Sequence, residues 1–126
     1  MLILILTVLP LTLLGQHLKC CETEKEVESY LSGKWKIKNS DSKTIYHYWF
    51  EKAQGNLTEM EQTENEEEYL IIDDHSFIDI IKYDQGFKLK FTHLHSNWIS
   101  ELKYLNSNKM ILVTNGIETE YYKFNE

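Results

Sequence analysis

Residues 32–37 read SGKWKI, and the chain changes there from a helical pattern to a strand pattern. Before this stretch, ETEKEVESYL at residues 22–31 combines good helix formers with apolar residues spaced i, i+3 and i+4, which predicts one or two helical turns. Gly33 suits the positive φ that often ends a helix. After it, apolar and polar residues alternate, which indicates β-strands.

Nine short runs rich in Ile, Tyr, Phe and Trp follow and predict strands. They lie near residues 34–39, 44–52, 55–63, 68–73, 76–83, 86–92, 97–104, 109–114 and 117–124. The connections are short and rich in turn residues, so neighbouring strands should be antiparallel. Asn115-Gly116 is the clearest hairpin signal, because a type I′ turn favours this pair.

Sequential strands with no long crossover predict either an up-and-down barrel or a rolled meander sheet. Because closure leaves no exposed edge, we predict an all-β, antiparallel up-and-down β-barrel of eight to nine strands, preceded by a short N-terminal helix.

Strand alternation also predicts which side chains point into the barrel. The predicted inward residues are Trp35, Ile37, Tyr46, Tyr48, Phe50, Tyr69, Ile71, Ile78, Ile80, Phe87, Leu89, Phe91, Trp98, Ser100, Leu102, Met110 and Leu112. Trp35 would fill the base of the barrel, with Gly33 letting the helical turn fold tightly beneath it.

Over about residues 25–124 the chain resembles the lipocalins, and more closely the small bacterial lipocalin-like domain proteins. The resemblance lies in SGKWKI, in YWFEKAQGNLTE around a Gly turn, and in the closing rhythm LKYLNSNKMILVTNGIETEYYKF. In lipocalins a basic side chain of the last strands, usually Arg, packs over the Trp of the first strand. The resemblance implies this role for Lys123.

The composition bounds the size and the partners of the protein. The chain has 126 residues, the size of one domain. It carries 13 basic and 20 acidic residues, a net charge of −7, which disfavours binding to nucleic acid or to an anionic membrane surface. All the basic residues are Lys, so no guanidinium clamp for carboxylate or phosphate is available.

The N-terminus predicts export. Residues 2–14, LILILTVLPLTLL, are too short an apolar run to span a bilayer as a helix, and they are typical of a signal-peptide core. We therefore predict a signal peptide at 1–15, a tail at 16–24 and a lipocalin-like barrel domain at 25–126. The protein would be periplasmic or secreted, with association with the cell envelope as an alternative. No membrane span is expected.

Cys20 and Cys21 are the only cysteines. Their position raises the question of a lipid anchor, but HLKC lacks the small residues that lipidation requires, so an anchor is disfavoured. Adjacent cysteines pair only through a strained ring, and no third cysteine exists. We predict two tail thiols and a barrel without a disulfide.

FTHLHSNW at residues 91–98 holds the sharpest local pattern. His93 and His95 would point the same way if the strand continued, near the barrel rim. A zinc site needs three or four ligands. Asp79 or Glu101 would have to supply another, so we predict polar rim residues that contact a ligand head group rather than a metal site. We find no catalytic motif and expect no cofactor.

Two functions remain. The first is a monomeric binding protein that holds a small hydrophobic ligand in the barrel. Its predicted ligand-binding residues are Tyr46, Tyr48, Phe50, Ile71, Phe87, Phe91, His93, His95 and Trp98, and its structural base is Gly33, Trp35 and Lys123. The second is a packed, ligand-free barrel that acts as a cell-envelope protein-interaction module. An enzyme is not predicted.

Overall fold

The computed structural model describes residues 18–51, 54–64, 68–84 and 86–124, so the predicted signal peptide lies outside the described residues. Within them the chain forms one helix and eight strands. These are α1 Glu24–Leu31, β1 Gly33–Ile37, β2 Thr44–Glu51, β3 Gln54–Gln62, β4 Tyr69–Tyr83, β5 Gly86–His93, β6 Ser96–Leu105, β7 Lys109–Thr114 and β8 Ile117–Lys123.

The strands form a closed antiparallel barrel in which each strand pairs with the next and β8 pairs with β1. This confirms the predicted all-β, up-and-down barrel. The last hairpin is also as predicted: Asn115 and Gly116 both have positive φ, at 52° and 79°, as a two-residue type I′ turn requires.

Helix α1 begins where a capping box satisfies its first amides. The Thr23 hydroxyl accepts a hydrogen bond from the Glu26 amide, and the Glu26 carboxylate accepts one from the Thr23 amide. Val27 and Leu31 are fully buried and pack into the core. The helix therefore covers one end of the barrel, which we call the base; we call the opposite end the mouth.

Strand β4 corrects the prediction of two strands at 68–73 and 76–83. The intervening DDHS does not turn the chain, and β4 runs for 15 residues. Its register against β3 shifts twice, from Leu57–Ser76 to Glu59–Asp73 and then to Met60–Ile71, so β4 carries two extra residues.

The first extra residue brings Asp73 to the interior side opposite Glu59, and the second restores the alternation that starts at Ile78. Ile71 pairs with Met60, on the face opposite that of Leu57, and its side chain is 57% exposed. Tyr69 pairs with Gln62 on the same face. The predicted inward orientation of Ile71 and Tyr69 is therefore wrong, because these residues belong to the same strand as Ile78, and alternation counted from the inward Ile78 places them on the outer face.

The core joins the barrel interior to the helix and to the segment before it. Trp35, Phe87 and Leu89 are among its most buried members, and Leu18 and Cys21 belong to the same cluster. Cys20 and Cys21 form a disulfide with each other. The prediction of two tail thiols is wrong, because Cys21 packs in the core, and the packed region extends upstream of residue 25.

None of the described helical residues forms a helix long and apolar enough to cross a membrane.

Candidate binding site at the mouth of the barrel

Three residues assigned to the base from the sequence lie together there. Trp35 is fully buried, and its indole Nε1 donates a hydrogen bond to the Leu31 carbonyl at 2.8 Å. Lys123 places its Nζ 4.8 Å from the Trp35 ring centroid. Gly33 has a φ of 134° and passes beneath the lysine side chain.

The Lys123 ammonium also links the end of β8 to the helix. It donates hydrogen bonds to the carbonyls of Tyr30 and Ser32, at 2.9 and 3.0 Å. Partial burial lowers the pKa of this lysine. The helix C-terminus is the negative end of its dipole, so a cation there is well placed. The base is closed by structural contacts.

Aromatic residues extend from the core toward the mouth. Phe91 is 3% exposed, and Trp98, 40% exposed, stacks on it with ring centroids 5.3 Å apart and planes at 12°. The Tyr48 ring meets the Phe91 ring edge-on, with ring centroids 6.4 Å apart. Trp98 is therefore an aromatic surface on the interior side that solvent reaches.

Two other predicted ligand-binding residues lie away from the mouth. Phe87 is 1% exposed within the core. Phe50, near the end of β2, lines a cavity of about 250 Å³ at the base together with Glu24 and Glu28 of the helix. A larger cavity of about 520 Å³, lined by Leu18 and Tyr104 among others, also lies at the base.

The two histidines do not act together. His93 ends β5 on the interior side, where its Nε2 lies 2.5 Å from a carboxylate oxygen of Asp73. Leu94 then takes a φ of 52°, and His95 is exposed in the turn. The prediction that both imidazoles point the same way is wrong, because the strand ends at the first of them.

Asp73 and His93 form an ion pair when the imidazole is protonated. The pKa of Asp73 is lowered, first by the hydrogen bond that its carboxylate accepts from the His75 amide at 2.9 Å, and further by His93. The acidic partner of His93 is thus Asp73, not Asp79 or Glu101. Asp79 is the β-ladder partner of Lys90 and Glu101 that of Lys88, both on the outer face.

Glu59 was missed by the sequence analysis and lies beside this pair. It is the β-ladder partner of both Tyr46 and Asp73. Its pKa is raised, mainly by partial burial and then by the Asp73 charge, while His93 opposes the shift. Since Leu57 faces the interior, the alternation of β3 would have placed Glu59 there as well.

Tyrosines surround Glu59. The rings of Tyr46 and Tyr121 meet edge-on at 5.7 Å. Burial, with smaller effects of Tyr46 and Glu59, raises the pKa of Tyr121 to about 12, and burial raises that of Tyr48 well above its ordinary value. These phenols keep their protons at neutral pH and are available as hydrogen-bond donors.

The arrangement combines aromatic faces with carboxylates, an imidazole and phenols. Among the described residues, no group of three or more His, Cys, Asp or Glu side chains could hold a metal ion. Asp73 and Tyr121, like Glu59, were missed by the sequence analysis. The bulges of β4 reverse the orientation that alternation from Ile78 gives Asp73, whereas Tyr121 lies two residues before Lys123, so the alternation of β8 would have placed it on the interior side.

No protein-family model matches the chain, and no curated protein or solved structure was found similar to it. The closed eight-stranded antiparallel barrel with a short helix before its first strand is compatible with a lipocalin-like fold.

Proposed function

We propose that this protein is an exported, lipocalin-like binding protein that holds a small ligand with an apolar part at the mouth of its barrel. The observation that carries the proposal is the stacked pair Phe91–Trp98, because it offers an aromatic surface on the interior side that solvent still reaches. Aromatic surfaces with a few convergent polar groups are typical of small-molecule sites. The signal-like N-terminus supports export.

The test is a titration of the protein with N-phenyl-1-naphthylamine, a neutral apolar probe whose fluorescence rises in apolar surroundings. We expect saturable binding of one probe per chain, weakened at least fivefold by Trp98→Ala. The matched control is Trp49→Ala, which removes a similarly exposed indole that donates to Thr58 on the outer face. Absence of saturable binding, or equal loss in both variants, would contradict the proposal.

A second candidate is a packed barrel that acts as a protein-interaction module at the cell envelope. It is favoured by apolar side chains on the outer face of β4 and β6, the two strands that flank β5, where Phe77 is 47% and Ile99 49% exposed. Phe77→Lys with Ile99→Lys separates the two functions. This double substitution should leave probe binding unchanged if the mouth is the working site.

A further inference from the structure

The polar groups inside the mouth are short of hydrogen-bond partners. Within the described part of the chain, no side-chain hydrogen bond involves the hydroxyls of Tyr46, Tyr48 or Tyr121, or the Glu59 carboxylate. Tyr46, Glu59 and Tyr121 are only partly buried, so water or a ligand can reach their polar atoms. The four groups therefore offer hydrogen-bonding capacity that no protein group uses.

Tyr48 shows that there is room beside the cluster. The residue is 2% exposed, and its hydroxyl lies close enough to Tyr46, Tyr121 and Glu59 for their charges to act on it. Every described side-chain oxygen or nitrogen that is sealed from solvent has a hydrogen-bond partner. The Tyr48 hydroxyl has none, so a space that a water or ligand atom can occupy adjoins it.

The charge of the cluster selects a cation. Two carboxylates, those of Glu59 and Asp73, face the interior here beside a single imidazole, that of His93, and no described lysine contributes to the pKa of Glu59. An anion would meet a carboxylate here, whereas an ammonium would find a carboxylate acceptor, hydroxyl oxygens and the faces of tyrosine rings. Carboxylates and aromatic faces are the groups with which proteins bind amines.

The apolar residues lie farther out than the polar ones. Leu94 in the β5–β6 turn is 67% exposed and Ile117 at the β7–β8 turn is 69% exposed, and Trp98, the β-ladder partner of Phe91, is 40% exposed, whereas Tyr48 is 2% exposed. A ligand that matches both zones carries its polar head inward and its apolar body at the rim. This ligand orientation is the reverse of the one in a barrel that buries the hydrocarbon tail of its ligand.

We propose, building on the function proposed above, that the mouth binds an amine-bearing amphiphile head first, with its ammonium against Glu59 among Tyr46, Tyr48 and Tyr121 and its apolar body on Trp98. The ligand class is a cationic amine with a hydrocarbon or ring portion, rather than a fatty acid or a neutral lipid.

The test compares three probes with the same ten-carbon chain, decylamine, decanol and decanoate, by isothermal titration calorimetry at pH 7 below their aggregation concentrations. We expect the protein to bind decylamine at least tenfold more tightly than decanol, and decanoate most weakly. Glu59→Gln should remove the preference for the amine. Glu101→Gln removes one carboxylate from the outer face and should retain it.

Two further measurements keep the test independent of whether Glu59→Gln folds. Tyr48→Phe keeps the ring and should weaken decylamine more than decanol. In the unmodified protein, decylamine affinity should fall as the pH is lowered through the raised pKa of Glu59, while the decanol affinity changes little; Asp73, whose pKa is lowered, keeps its charge over that range.

The outcomes distinguish the two proposals. Equal binding of all three probes, or a preference for decanoate, overturns the amine assignment and leaves the binding function standing. Binding of N-phenyl-1-naphthylamine without any binding of decylamine does the same. If neither that probe nor any ten-carbon probe binds, the binding function fails as well.

Discussion

Single side chains decide how this barrel is closed. Trp35 fills the base, its indole nitrogen bonded to the Leu31 carbonyl, and the Lys123 ammonium lies over its ring. Lysine takes this position in a chain without arginine, and it reaches two carbonyls of the helix end while its stem covers Gly33. One cation thus joins the first strand, the last strand and the helix.

Gly33→Ala should destabilise the fold by about 1–3 kcal/mol, because its φ of 134° is disfavoured for any residue with a Cβ. The new Cβ would also lie 3.2 Å from Lys123 Cε, closer than an ordinary contact. The measurement is urea unfolding followed by circular dichroism. Gly116→Ala is the control, since its φ is also positive but its Cβ would enter open space. Equal losses would show that the lysine contact has no effect.

Glu59 should make stability depend on pH in an unusual direction for a carboxylate. Its raised pKa means that the folded chain binds a proton more tightly than the unfolded chain, so the stability contribution is present below the ordinary value of 4.5 and lost as pH rises through the raised value. Glu59→Gln should therefore be more stable than the unmodified protein at pH 7, with the difference shrinking toward pH 4. Urea midpoints at both pH values measure this. A difference that grows toward pH 4 would contradict it.

At the level of strands and helix, β4 shows how a local irregularity changes a site. Its first extra residue turns Asp73 inward next to Glu59, where it meets His93, and its second restores the alternation of the strand. A regular strand that kept the register of Leu57 with Ser76 would have placed Asp74 opposite Glu59 and turned Asp73 to the outer face. Bulges of this kind commonly re-aim side chains near functional sites.

The helix that covers the base depends on its first turn. Thr23→Ala removes the hydroxyl that accepts from the Glu26 amide, and we expect a loss of about 1 kcal/mol in the free energy of unfolding. Ser29→Ala changes an exposed residue within the same helix and should be nearly neutral or slightly stabilising. Thermal unfolding of both variants gives the comparison. A loss in Ser29→Ala as large as in Thr23→Ala would contradict a capping role.

The molecule as a whole forms a single core that includes the segment before the helix. Leu18 is 2% exposed and belongs to the cluster that holds Trp35 and Phe87. Leu18→Ala should lower the unfolding free energy by about 2–5 kcal/mol, as other buried leucine truncations do. Lys19→Ala, at the adjacent exposed position, should change it by less than about 0.5 kcal/mol. Equal stability of both variants in urea would show that this segment does not contribute to the core.

Much of the barrel followed from the sequence alone, because alternation, turn residues and the Gly-Lys-Trp entry are local properties that each strand expresses by itself. They were sufficient for the fold class, the positive-φ hairpin at Asn115-Gly116 and the buried positions of Tyr48, Phe87 and Phe91. A two-residue period also contained enough information to find Glu59.

Only the tertiary structure decided the content of the mouth. Where β4 gains its two extra residues depends on its pairing with β3, and no pattern within β4 shows it, so the inward Asp73 could not be derived from the sequence. Tyr121 joins Tyr46 because β8 returns to β1 and closes the barrel, a contact across 75 residues of chain. Strand periodicity is a property of residues close together in the sequence, whereas strand register, barrel closure and contacts between distant charges exist only in the folded chain.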